Sequence, residues 1–216
     1  MRRFREYRHL LLILLIGVFL VLYLLDEHFI TENYWVSYCP LDDHIPFLEG
    51  FIVPYVLWYP SLAAVGLTLL FAKEKPAFCR YVSCLGVGLI LCYVICAVFP
   101  NGQDLRPVPL PRDNVFTRLI AGIYAADTNT NVFPSAHVVG SAVTVFGTFD
   151  SKTLRRWYWR SASVLLFLLI CAACVFIKQH SILDVFSGLA LAAILYVPFY
   201  LLPKRRARRK GTDSRT

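Results

Sequence analysis

The chain has 216 residues, of which 57% are hydrophobic and only 17% charged, with a formal net charge of +8. That balance excludes a soluble globular domain, whose surface needs far more polar residues, and describes a polytopic membrane protein. The positive charge suggests a nucleic-acid partner only until it is mapped: 18 of the 22 Lys and Arg residues lie in the segments 1–8, 73–80, 152–160 and 204–215.

A membrane span needs about 20 mostly apolar residues to cross about 30 Å of hydrocarbon. Six runs qualify, near 9–25, 47–71, 79–99, 135–151, 160–177 and 180–202. The four basic segments are alternate loops, and the remaining loops hold only Arg106, Arg112, Arg118 and Lys178. By the positive-inside rule both termini are cytoplasmic and six spans close the count. The expected fold is all-α: a single six-span bundle over 1–203, with a short interfacial helix between spans three and four, and a basic cytoplasmic tail over 204–216. The tail is a membrane-facing basic cluster that touches anionic lipid or simply fixes topology, the latter being all the charge pattern requires, and no nucleic-acid partner is implied.

Taken in order, the first run is followed by Asp26, Glu27 and His28 rather than by small residues, so it is not a cleaved signal peptide. The second carries Pro54 and Pro60, which should kink it. Trp35, Tyr38, Tyr55, Trp58 and Tyr59 suit an aromatic belt at the outer interface or the kinked upper half of that span. The loop from Pro100 to Asn131 alternates Pro107, Pro109 and Pro111 in an extended, polyproline-like strap. Asn114 then caps a helix with Phe116, Leu119, Ile120, Ile123 and Tyr124 on one face. This helix lies on the outer leaflet beside a lipid entrance, or it covers the bundle. The fourth run is the shortest, extended inward by snorkelling Lys152. Of seven cysteines, only Cys39 stands apart from the spans, and Cys171 and Cys174 lack the partners of a zinc site. The small chain, without a transit peptide or outer N-glycosylation sites, points to a bacterial plasma membrane.

Three polar elements interrupt this pattern. In "FIKQHSILDVFSG", His180 and Asp184 are four apart at the start of the sixth span, on one helical face. A carboxylate there fixes one imidazole nitrogen as donor and leaves the other free to attack, although polar pairs also glue helices together. In "NVFPSAHVVGSA", Ser135 caps a helix whose first turn holds His137, where free N–H groups attract an anion. Arg106 in "DLRPV" carries the planar fork that suits phosphate oxygens, or pairs with Asp104 or Asp113. The charge map, made without reference to these elements, puts all three at the outer face.

Arg106-Pro107, Pro134-Ser135-Ala136-His137 and His180-Ser181-Ile182-Leu183-Asp184, in that order on six spans, resemble the type 2 phosphatidic acid phosphatase superfamily of membrane lipid phosphatases and phosphotransferases. The likeness covers residues 100–190. It implies a metal-independent enzyme without cofactor, acting on a lipid phosphate or diphosphate at the extracytoplasmic face. His180 would attack phosphorus to give a phosphohistidine, Asp184 would orient it, and His137 would protonate the leaving alkoxide. Arg106, Ser135 and the N–H groups of the turn at Ala136 would hold the phosphate. This chain has Phe99 and Cys174 where the family has a lysine and an arginine, and Ala136 for its glycine. Lys178 would then replace a cation, with Asn101 and Gln103 donating hydrogen bonds. The thinned pattern is similar to the branch of inositol-phosphoryl-ceramide and sphingomyelin synthases. A lipid head-group phosphotransferase and a catalytically silent scaffold are therefore alternative expectations. Neither the lipid nor the oligomeric state is named by these residues.

Overall fold

Inside hydrocarbon every backbone N–H and C=O must be paired within the segment, so long apolar runs become helices. The computed structural model describes residues 8–30 and 32–203; the N-terminal basic cluster and the tail over 204–216 lie outside the described residues. The described chain is predominantly helical, with helices α1 (Leu14–Phe29), α2 (Ile52–Val56), α3 (Trp58–Phe71), α4 (Lys75–Val98), α5 (Val115–Ala126), α6 (Ala136–Asp150), α7 (Trp157–Phe176) and α8 (Ile182–Tyr196). Five stretches are long and apolar enough to cross a membrane: His9–Phe29, Glu49–Phe71, Lys75–Val98, Trp157–Phe176 and Ile182–Leu201.

The second run breaks at Leu57, between α2 and α3, and Ser61 N–H resumes the helical ladder onto the Leu57 carbonyl at 3.1 Å. Pro60 has no N–H to offer the carbonyl four residues before it, which accounts for the break. The fourth run is the exception in length. With 15 residues, α6 is about 22 Å long, short of the hydrocarbon thickness. It is instead the hub of the bundle, packed against α3, α4, α7 and α8, with ten residues buried. Its hydroxyls turn inward on their own helix: Ser141, Thr144 and Thr148 donate to the carbonyls of His137, Gly140 and Thr144. Glycines let neighbours approach it. A Cβ on Gly140 would stand 2.8 Å from the Trp58 indole, and one on Gly188 would stand 2.9 Å from Val138 and 3.0 Å from the Ser135 carbonyl.

Loops at one end of the bundle are tied together. Trp35–Val36 pairs in parallel with Asn101–Gly102. Asp42 reaches the start of α8, where Ser181 Oγ donates to Oδ2 at 2.6 Å and Ile182 N–H to Oδ1 at 2.9 Å. The proline strap is clasped to the second run by Arg112, whose Nη1 donates to both Glu49 oxygens at 2.7 and 2.8 Å. Asn114 caps α5 as its sequence requires, accepting from Phe116 and Thr117 N–H. The apolar face of α5 is narrower than its spacing predicts: Ile120 is fully buried, while Phe116 and Leu119 are 38% and 52% exposed. The helix covers the bundle through Ile120 and through Tyr124, whose hydroxyl donates to the Ile177 carbonyl.

The aromatic belt needs correction at two positions. Tyr55 and Trp58 are buried, and both stack on His137, whereas Trp35, Tyr38 and Tyr59 stay exposed. Here the second run packs against α6, through α3.

Candidate active site

His180 sits in the tight turn before α8, shaped by the left-handed backbone of Lys178, φ 54°. Ser181 caps α8 by accepting Leu183 N–H, while Asp184 accepts Ser181 N–H at 2.8 Å. This reciprocal cap spends one carboxylate oxygen on the backbone and aims it towards the imidazole. His180 Nδ1 lies 3.1 Å from the Val132 carbonyl and 3.5 Å from Asp184 Oδ2. Both neighbours are acceptors, so Nδ1 carries the hydrogen. Nε2 is left with its lone pair, facing Ser135 Oγ at 3.2 Å. The other Asp184 oxygen accepts from the Ser37 hydroxyl, in the loop after α1.

His137, in the first turn of α6, stands with its ring centroid 5.9 Å from that of His180. It stacks on Tyr55 at 4.2 Å and leans on Trp58 at 4.5 Å. The Tyr55 hydroxyl is 3.5 Å from its Nδ1, and its buried Nε2 has no hydrogen-bond partner among the described residues. Ser135 accepts from Val138 N–H as the cap of α6, and its own N–H donates to the Asp184 carbonyl at 3.1 Å, which joins the two helix starts. Ser135, Ala136, His137, His180 and Asp184 are thus brought together.

Arg106, Gln103 and Lys178 behave otherwise. Arg106 Nη1 donates to the carbonyls of Tyr124 and Asp127, and Nη2 to the Thr128 carbonyl and Gln179 Oε1. Its guanidinium also lies over the Tyr124 ring at 4.4 Å, and buried Nε alone is unpartnered. Neither Asp104 nor Asp113 holds it; Asp113 pairs with Arg118. Burial lowers the Arg106 pKa, opposed by Asp127. Lys178 Nζ donates to the Asp42 carbonyl at 2.7 Å and does not line the cavity at His180. Burial lowers its pKa against the pull of Asp42 and Asp43. Gln103 is fully buried, donating to the Lys178 carbonyl and accepting Leu105 N–H, and also stands outside that cavity. Asn101 knits the loop by accepting Val132 and Phe133 N–H. Cys174 touches Ser135 Oγ at 3.9 Å.

Two cavities meet at these residues. The smaller, about 20 Å³, is lined by His180, His137, Ala136, Asp127, Gln179 and Thr130 among others. It has room for about one water. The larger, about 500 Å³, runs between α1, α3 and α4 and ends on Ala136, His137 and Asp127. Its walls are Leu, Ile, Phe and Tyr, and along α3 it reaches from Trp58 to Leu70, about 18 Å at the helical rise. Asp127, Gln179, Ser37 and the Val132 carbonyl escape motif reading, because each meets the histidines only through the folded loops. Burial pushes the Asp127 carboxyl up to about 6, with Glu27 adding to the shift and Arg106 and His180 opposing it. No family model, curated protein or solved structure matches the chain.

Proposed function

We propose that the protein is an integral membrane lipid phosphate or diphosphate phosphatase working through a phosphohistidine on His180. The observation that carries this reading is the pair of imidazoles at the polar end of a long apolar cavity: one with its Nε2 lone pair turned to Ser135 Oγ, the other with an Nε2 that has no hydrogen-bond partner among the described residues. Nε2 of His180 attacks phosphorus, and the lipid oxygen leaves with a proton from His137. As an imidazolium His137 carries a hydrogen on both ring nitrogens, Nδ1–H donating to the Tyr55 hydroxyl and Nε2–H serving as the acid. Water then cleaves the P–N bond. The N–H groups of Ala136 and His137, unpaired by helical geometry, and the Ser135 hydroxyl are the oxyanion donors. The lipid chain occupies the cavity between α1, α3 and α4. In this reading α6 is a sixth, short span, both termini are cytoplasmic, and the site faces outward across a plasma membrane, as the charge map requires.

A transferase reading is favoured by one observation. The Arg106 Nη donors are committed to the loop, and Phe99 and Cys174 are apolar, so little positive charge faces a phosphate dianion. An acceptor hydroxyl then replaces water in the second half. The deciding measurement is phosphate release by purified protein from phosphatidate, phosphatidylglycerol phosphate and a polyprenyl diphosphate, beside transfer of radiolabelled head group between lipids. His180→Ala must abolish whichever activity is found; equal rates for the variant and the wild type refute the mechanism. Ala63→Phe, which fills the apolar cavity, is expected to slow long-chain substrates while sparing a short soluble phosphate ester.

A further inference from the structure

Asp127 has no place in the motifs, yet its carboxylate stands where both cavities meet, on the wall it shares with His137. Its setting is built. Arginine only donates, so Gln179 must accept Arg106 Nη2 through Oε1. That fixes the amide, and its Nε2 donates to Asp127 Oδ2 at 3.4 Å. No second hydrogen bond holds Oδ1 among the described residues. The boundary between the cavities is where a lipid oxygen must depart, because the chain lies in one cavity and the nucleophile faces the other. Since attack on the phosphohistidine is the reverse displacement, the incoming oxygen enters at the same boundary.

Resting on the phosphohistidine reading above, we propose that Asp127 is the base for the second half-reaction. The entering water, or acceptor alcohol, bonds to phosphorus as the P–Nε2 bond breaks and its electron pair returns to His180. The proton lost from that oxygen passes to the Asp127 carboxylate. His137, which gave a proton to the first leaving group, recovers one from Asp127 across the shared cavity, and both groups are reset. The groups facing Asp127 are Glu27 and Tyr23 on α1, Tyr55 on α2, Tyr59 on α3, Tyr93 on α4, Arg106 in the strap, and the two histidines. Because the base must be ionised, steady-state turnover falls as pH drops through about 6, the value to which burial raises this carboxyl.

The test uses the full chain and radiolabelled phosphatidate, phosphatidylglycerol phosphate or polyprenyl diphosphate, whichever the wild type turns over fastest. Asp127→Asn is expected to label on His180 in a burst of about one phosphate per chain, with steady turnover lower by about a hundredfold or more. It loses the acid limb near pH 6, formate restores part of the rate to Asp127→Ala, and Asp127→Glu keeps turnover within about tenfold. Turnover of Asp127→Asn within a few-fold of wild type overturns the proposal. So does loss of labelling in a variant that melts like wild type, which would put Asp127 in the first half. A wild type that never labels refutes the underlying reading and this proposal with it, whereas a wild type that labels beside an unaffected Asp127→Asn refutes this proposal alone.

Discussion

Replacing Asp184 separates two jobs that its position combines. The carboxylate is fully buried, accepts Ser37 Oγ–H and Ser181 N–H, and lies 3.5 Å from His180 Nδ1. Asp184→Ala leaves two buried donors without acceptors, at about 1–3 kcal/mol each. For a chain of this size, where about 1 kcal/mol moves the midpoint by about 2–4 °C, melting should fall by about 5–20 °C. Asp184→Asn keeps an oxygen for Ser181 N–H, and the Ser37 hydroxyl can rotate to accept from the amide, so melting should change little. Its effect on rate is also limited. Where a carboxylate alone sets the tautomer of a catalytic histidine, its amide costs about ten-thousand-fold. Here the Val132 carbonyl, at 3.1 Å, is the nearer acceptor and still holds the Nδ1 hydrogen. Only the negative charge beside Nδ1 is lost, worth no more than a charged hydrogen bond at about 1.5–3 kcal/mol, or roughly 10–100-fold in turnover. Thermal unfolding in detergent and phosphate release from the same preparations check both numbers. A well-folded Asp184→Asn as dead as His180→Ala refutes the role given to Val132.

His137→Ala is expected to slow turnover of lipid phosphates yet allow phosphoenzyme to accumulate from an aryl phosphate, whose leaving group needs little protonation; acid-labile label on the protein is the measurement. Gly140→Ala places a methyl group 2.8 Å from Trp58, costing about 1–3 kcal/mol and displacing the wall against which His137 stacks, so melting and turnover should fall together. Arg106→Lys replaces a planar fork that braces three carbonyls and Gln179 with a single ammonium; faster hydrogen exchange over 124–131 and lower turnover are expected. The raised carboxyl of Asp127 binds a proton in the folded state between its usual value and about 6 that the unfolded chain has already lost. Its contribution to stability therefore declines as pH rises through that window. Asp127→Asn should melt no lower than wild type at pH 8, and its relative stability should drop on acidification.

What was legible in the sequence is local. The caps at Ser135 and Asn114 and the break demanded by Pro60 each depend on a few neighbouring residues, and each is present. His180 and Asp184 do meet, but through the capping turn at Ser181, since His180 lies before α8 and not on its face. The partners of Arg106, Lys178 and Gln103 were not legible, since the nature of a donor does not say which carbonyl will meet it. Arg106 finds Gln179, Lys178 finds Asp42, and Gln103 finds Lys178, all across distant loops. Tyr55 and Trp58 looked like belt residues because aromatic side chains near a span end fit that role equally well. Only the packing of the folded bundle sets them against His137. Ser37 left no signal at all in the primary structure.

The contacts of Ser37 and Asp42 also change what the N-terminal third of the chain is for. Both residues grip the segment carrying His180, one through Asp184 and the other through Ser181 and Ile182. The loop that follows α1 therefore braces the start of α8. A truncated gene beginning at the second apolar run would encode every motif residue yet leave His180 loosely held, and co-expressing the missing piece as a separate polypeptide is the natural route to restoring it.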